Sequence, residues 1–250
     1  MTSKLIDISI VIPYLDGSKL IPDTLSSISD SKLASRLSIE VIIVNGGDNE
    51  DDNVALNNII EKYRHILNIT LVEIPDRSMY EAITNGFARA TGKIYSYINC
   101  GDGYFKDSFK LANEALSQDD TDVLFGTRCV KNKVGKTYKK WFPIIPSFVR
   151  LGLYGRVLPF IQQEGTFWKS ECWTSIDRLK LSSFKLSGDY FIWISFSKSG
   201  YKFKTVKRPL GFFLRHDDQL SENINGYFKE LTPYIPFSQL TNLAIRFRFK

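Results

Sequence analysis

Between residues 6 and 99, short apolar runs rich in β-branched residues alternate with longer stretches whose apolar positions recur every three or four residues. IDISIVIPYL (6–15) reads as a buried strand, closed by Pro13 and by Asp16-Gly17. Leu20, Ile21, Leu25 and Ile28 then follow helical spacing. IEVIIVN (39–45) is a second buried strand that ends on GGDNEDD, and Leu56, Ile59, Ile60, Tyr63, Ile66 and Leu67 mark one helix face. ITLVEIP (69–75) is the third strand. A helix is expected over 78–91, ended by Thr91-Gly92, and KIYSYIN (93–99) is the fourth strand. Phe109, Ala112 and Leu116 predict another helix, and DVLFGTRCV (122–130) reads as one strand.

Strands of this kind, nearly all-apolar and separated by helices, predict an α/β fold whose mostly parallel central sheet is covered on both faces. The polar clusters Tyr14–Gly17, Asn45–Asp52, Asp76-Arg77 and Asn99–Gly103 all fall at strand C-termini. Open sheets bind ligands beyond those ends, so the clusters are expected to converge on one rim. After residue 130 the pattern changes. The stretch 131–160 is basic, aromatic and broken by three prolines; IQQEGTFWKSECW reads as a strand or short turn leading into a helix; 188–200 reads as a helix; and 201–216 returns to extended structure. No repeat or linker is evident, which favours a single domain over 1–250, with 1–105 and 106–250 as its two halves.

Composition narrows the classes. The chain has 250 residues, 43% hydrophobic and 24% charged, which suits a globular protein. No apolar run is long enough for a transmembrane helix, and no signal peptide is expected. Cys100, Cys129 and Cys172 are odd in number and widely spaced, which fits neither a disulfide framework nor a zinc site and suits a reducing cytoplasm. A net charge of +6 implies an anionic partner only weakly.

Neither GxGxxG after the first strand nor GxxxxGK[ST] occurs, and GxSxG is absent, so dinucleotide, P-loop and serine-hydrolase chemistries are unsupported. The rim offers hard oxygen donors instead: Asp16, Asp48, Asp76 and Asp102. Mg²⁺ or Mn²⁺ takes one or two protein carboxylates together with substrate phosphate oxygens. Asp102, between Gly101 and Gly103, suits that role because the glycines let a diphosphate approach the backbone. The competing reading of Gly-Asp-Gly is an ordinary turn.

VIPYLDG, EVIIVNGGDNEDD and DRSMYEAITNGFARATGKIYSYINCGDGYF together resemble the nucleotide-binding half of inverting GT-A glycosyltransferases of family 2, the branch that makes bacterial surface polysaccharides. The resemblance covers 6–105 well and continues weakly through QQEGTFWKS, GDYFIWISFSKSGYKF and HDDQLS. It implies a GT-A fold and metal-dependent transfer of a sugar from a nucleotide-sugar donor to a glycan or lipid-linked oligosaccharide acceptor. Pro13, Tyr14 and Asp16 would border the nucleoside. Asn45 stands where the family has an Asp that reads the base, and the family's next acidic residue falls on Glu50. Asp76 and Asn85 would help hold the ribose-diphosphate region. The acidic metal motif is thinned to Asn99-Cys100-Gly101-Asp102, leaving Asp102 as metal ligand, with His216 a further metal or diphosphate contact and Arg215 a phosphate partner. Asp189, opening a helix, matches the catalytic base; a helix-capping role is the competing reading.

The cations and aromatics of 131–160 and 227–250 suit an anionic membrane surface, to which a lipid-linked acceptor would give a purpose, and the expectation is a cytoplasmic protein peripheral on the inner face of the cell membrane; a basic solvated surface is the competing reading. Nucleic acid is not an expected partner, since the rim is acidic. The main rival to an enzyme is a non-catalytic nucleotide-sugar or glycan binding module of the same fold. A sugar nucleotidyltransferase would need a Gly-rich start after the first strand, which VIPYLDG does not provide.

Overall fold

The computed structural model describes residues 5–75, 78–132, 134, 136–215 and 223–235. The first half alternates as expected: β1 (Ile8–Tyr14), α1 (Ile21–Ser35), β2 (Ile39–Asn45), α2 (Glu50–Tyr63), β3 (Asn68–Glu73), α3 (Met79–Phe87) and β4 (Ile94–Tyr97). Then come β5 (Gly103–Tyr104), α4 (Ser108–Leu116), β6 (Val123–Phe125), β7 (Arg128–Asn132), β8 (Thr137–Lys140), α5 (Pro146–Arg150) and β9 (Thr166–Lys169). A 3₁₀ turn over Ser170–Ser175 leads to α6 (Arg178–Ser182), α7 (Gly188–Lys198), β10 (Phe203–Thr205), β11 (Gly211–Arg215) and α8 (Ile224–Leu231).

The central sheet has seven strands in the order β10-β6-β9-β4-β1-β2-β3. All its pairings are parallel except those of β9, which runs antiparallel to both β4 and β6. Alternation along the strands divides two cores. Ile8, Ile10, Ile12, Val41 and Ile43 face α1, α2 and α4 through Leu25, Ile28, Leu56, Ile60 and Phe109. Val11, Ile42 and Val44 face α3 and α7 through Ile83, Phe87, Trp193 and Phe196. Helices therefore cover both faces, and the C-terminal ends of β1, β2 and β4 open on one edge.

Two expectations are corrected. The run 122–130 is not one strand: β6 joins the central sheet, whereas β7 joins a second, four-stranded sheet ordered β5-β11-β7-β8. The break falls at Gly126, where an added Cβ would lie 2.8 Å from the Leu210 backbone nitrogen, so only a bare backbone passes there. The basic, proline-broken stretch from residue 131, to which no element was assigned, contains the end of β7, its antiparallel partner β8, and α5. Among the described residues no helix is long and apolar enough to cross a membrane.

Candidate active site

The loops after β1 and β4 are fastened to each other. Gly101 adopts φ +91, a left-handed conformation that suits glycine, and its N–H donates to Thr24 Oγ1 of α1 at 2.9 Å. The Thr24 hydroxyl in turn donates to the Asp102 carbonyl at 2.8 Å. The Cys100 thiol reaches the Pro13 carbonyl at 4.0 Å and packs 3.2 Å from the Cβ position of Gly17. Residues 13–17 and 99–102 thus form one surface.

Asp102 points inward and is 4% exposed. Its Oδ1 accepts the Leu214 N–H from β11 at 2.8 Å, and its carboxyl shares a hydrogen bond with Glu164 on the approach to β9. Burial, followed by the negative charge of Glu164, holds Asp102 well above the usual carboxylate range; burial likewise raises Glu164. Two adjacent buried carboxyls of this kind hold a proton between them.

Asp189 lies in the first turn of α7, where its Oδ1 accepts the Tyr190 N–H at 2.7 Å and the Tyr227 hydroxyl of α8 at 3.0 Å. Burial pushes its pKa up to about 6 against these hydrogen bonds, and its charge acts on Glu164. The loop before α7 is tied down by Glu230, whose carboxylate accepts the N–H groups of Lys185, Leu186 and Ser187 at 3.0–3.1 Å and the Ser187 hydroxyl at 3.0 Å. The Tyr80 hydroxyl of α3 donates to the Leu186 carbonyl at 3.1 Å. Asp102 shares a hydrogen bond with Glu164 and Asp189 acts on Glu164 through its charge, so these three acids are neighbours in the site.

At the other end of the rim, the Tyr14 hydroxyl donates to Asp52, which also accepts the Ser18 N–H at 3.2 Å. The amide of Asn45 is engaged within the chain: Oδ1 accepts the Gly47 N–H at 2.9 Å, and Nδ2 donates to Asn53 Oδ1 at 2.7 Å. Asp16 is exposed, with Oδ1 3.1 Å from the Cβ position of Gly47. Tyr14, Asp16, Asn45, Gly47 and Asp52 are therefore grouped beside Pro13 at the ends of β1 and β2. Glu50 instead opens α2. Asn85 sits in the last turn of α3, with its backbone carbonyl accepting from Arg89 at 2.9 Å, and no side-chain bond joins it to the rim among the described residues. Arg215 is exposed at the end of β11, one residue beyond the donor to Asp102. Asp76 and His216 lie outside the described residues.

Among the described residues no group of three or more His, Cys, Asp or Glu side chains has the arrangement of a metal cage. The donors that are present still fit a hard cation. Asp102 supplies a carboxylate, Asn99 Oδ1 is buried without a hydrogen-bond partner among the described residues, and diphosphate oxygens complete such a shell. Glu164, Asp52, Thr24, Tyr227 and Glu230 were not singled out in the sequence. Asp52 and Glu164 were present only as members of longer segments, the rim cluster Asn45–Asp52 and QQEGTFWKS, with nothing to mark either residue by itself.

The fold resembles solved structures at low sequence identity. S. aureus TarS 1-349 in complex with UDP-GlcNAc aligns with a TM-score of 0.67 at 13% identity, covering 96% of this chain and 70% of that one. The mannosyltransferase PcManGT from Pyrobaculum calidifontis, in complex with GDP-Man and Mn²⁺, aligns at 0.65 and 15% identity, covering 98% and 73%. A longer S. aureus TarS chain aligns at 0.64 and 13% identity over 94% of this chain, which spans only 44% of it. These likenesses show the fold, which is of the GT-A type. No curated protein matches the chain significantly. The family model described as "Glycosyl transferase family 2" matches residues 9–171, through the strand ends at 14–17, 45–52 and 99–102 and on past Glu164. That match spans well over half of the sequence, and the chain belongs to glycosyl transferase family 2.

Proposed function

We propose that the protein transfers a sugar from a nucleotide-sugar to a hydroxyl of a glycan or lipid-linked glycan, with inversion, in cell-surface polysaccharide synthesis. One observation carries the reading: Asp102, on the loop after β4, is fixed by the Leu214 N–H and shares a hydrogen bond with Glu164, on which the charge of Asp189 also acts. Inverting transfer needs a place for the departing diphosphate at one end and a base for the attacking hydroxyl at the other.

The group of Pro13, Tyr14, Asp16 and Asn45 takes the nucleoside, and Asp102 with Asn99 and Gly101 faces the diphosphate. Mn²⁺ or Mg²⁺ held by Asp102, with His216 as a further contact, would stabilise the charge on that diphosphate. Arg215 at the end of β11 offers a charged hydrogen bond to the same group. Asp189 accepts the acceptor's proton. Its Oδ1 is fixed by Tyr190 and Tyr227, which leaves Oδ2 to face the hydroxyl. The bound UDP-GlcNAc of TarS and the GDP-Man and Mn²⁺ of PcManGT support a nucleotide-sugar donor and a divalent cation here. The chain acts as one domain, cytoplasmic and peripheral on the inner face of the membrane.

The test is a thermal-shift series with nucleoside diphosphates, with and without Mn²⁺, followed by donor hydrolysis. A Mn²⁺-dependent shift with turnover supports the transferase. Nucleotide binding without hydrolysis or transfer supports the second reading, a binding module, which the Asn45 amide engaged inside the chain favours.

A further inference from the structure

The positive charge of the chain is concentrated in one stretch. From Val123 to Gln163 there are eight Lys and Arg residues and no Asp or Glu, more than the whole chain's net charge of +6. Half of these cations, Arg128, Lys131, Lys139 and Lys140, lie on β7 and β8, in the second sheet that adjoins Asp102 through β11. Strand register shows where the cations face. Arg128 lies opposite Lys140, Val130 opposite Tyr138, and Arg215 of β11 opposite Asn132. Paired residues share a face and alternate residues along a strand repeat it, so Arg128, Lys140, Tyr138 and Arg215 stand on one side of the sheet. β7 lies beside the Glu164 loop, since the Cys129 N–H donates to Gln162 Oε1 at 2.6 Å and the Gln162 amide donates to the Glu164 carbonyl at 3.3 Å, and the Glu164 carboxylate is near enough to act on the charge of Arg128.

Lysines on an edge strand such as β8 commonly guard against aggregation. That role does not account for Arg128, which is half-buried on the inner strand β7. Nor does it account for the exposed aromatics: Tyr138 is 54% exposed and Trp141 43%, each with a lysine over its ring, Lys136 at 5.3 Å and Lys207 at 5.2 Å. Exposed rings with ammonium groups beside them offer stacking to sugar faces and charge to substituents on those sugars. β8 carries no aliphatic side chain to enter a bilayer, and β7 beside it is tied through Gln162 to the loop that carries Glu164.

We infer that the face of Arg128, Tyr138 and Lys140 binds an anionic glycan, one bearing carboxylate or phosphate groups, and leads it to Asp189 as the acceptor. The word acceptor rests on the transferase reading; the binding itself does not.

Fluorescence anisotropy with labelled neutral, carboxymethylated and phosphorylated dextrans tests this. The protein is expected to bind at least one anionic dextran about tenfold tighter than neutral dextran, a preference lost at high salt. The tighter of the two identifies the anion. The surface double variant Tyr138→Ser with Lys140→Gln is expected to lose about that tenfold with its melting temperature unchanged, whereas Lys140→Arg retains binding. Equal binding of neutral and anionic dextrans, no loss in the double variant, or retention only by phosphatidylglycerol vesicles overturns the proposal, the last in favour of a membrane surface. A Mn²⁺-dependent nucleoside-diphosphate shift on the same sample reports on the donor reading separately. Its absence beside anionic-dextran binding sinks the transferase and leaves this surface standing.

Discussion

The backbone N–H of Leu214 donates to Asp102 Oδ1 across 2.8 Å, so a strand of the small second sheet fixes the carboxylate at the end of the central one. The restraint sets Oδ1, and the carboxyl shares a hydrogen bond with Glu164. Substitutions among these acids should therefore separate binding from chemistry.

Asp102→Ala is expected to abolish the Mn²⁺-dependent part of the thermal shift with a nucleoside diphosphate and to lower turnover at least a hundredfold, about 2.7 kcal/mol. An unchanged metal-dependent shift would remove Asp102 from the metal site.

Glu164→Gln takes away one carboxyl of the buried pair and with it the negative charge that the pair keeps while it shares a proton. Without metal the variant should be the more stable protein by about 1 kcal/mol, read as a melting temperature about 2–4 °C higher. With Mn²⁺ and nucleotide its further shift should be smaller than that of the wild type. A lower melting temperature in the absence of metal would mean that Glu164 stabilises the fold rather than the site.

The pKa of Asp189 is raised from 3.8 to about 6, first by burial. A base must be ionised, so activity is expected to fall about tenfold per pH unit below about 6 and to level off above it. For stability the sign is opposite to that of a paired carboxylate. Between the unfolded value and about 6 the folded state binds the proton more tightly, so this group's contribution to stability declines as pH rises through that window. Tyr227→Phe removes a hydrogen bond that favours the ionised form and should move the acidic limb of the rate profile to higher pH. A limb that stays in place would show that Asp189 is not the group titrating.

Glu230→Ala leaves the N–H groups of Lys185, Leu186 and Ser187 without their carboxylate. The expected loss is about 2–3 kcal/mol in urea unfolding. Turnover should fall with it, because that loop carries Asp189. Glu230→Gln, which keeps one acceptor oxygen, should recover part of both.

The elements of the first half were legible because each is a local solution to burying one face. IEVIIVN could only be a strand covered on both sides, and Leu25 and Ile28 could only pack a helix against it. The rim was legible for the same reason, since strand ends and turn residues lie next to each other in sequence. Asp102 and Asp189 were legible through the family resemblance and through their places at a strand end and a helix start. Glu164 was not, because its importance comes from meeting Asp102 after a reversal of chain direction into the antiparallel β9, which hydrophobic spacing does not encode. The division of 122–130 between two sheets was hidden for a related reason. A short apolar run looks the same whether or not a distant backbone, here Leu210, crosses at its glycine. Local periodicity determined which segments are strands and helices; which carboxyl faces which, and which charged face adjoins them, was decided by contacts between segments far apart in the chain, where burial and like-charge proximity set the chemistry.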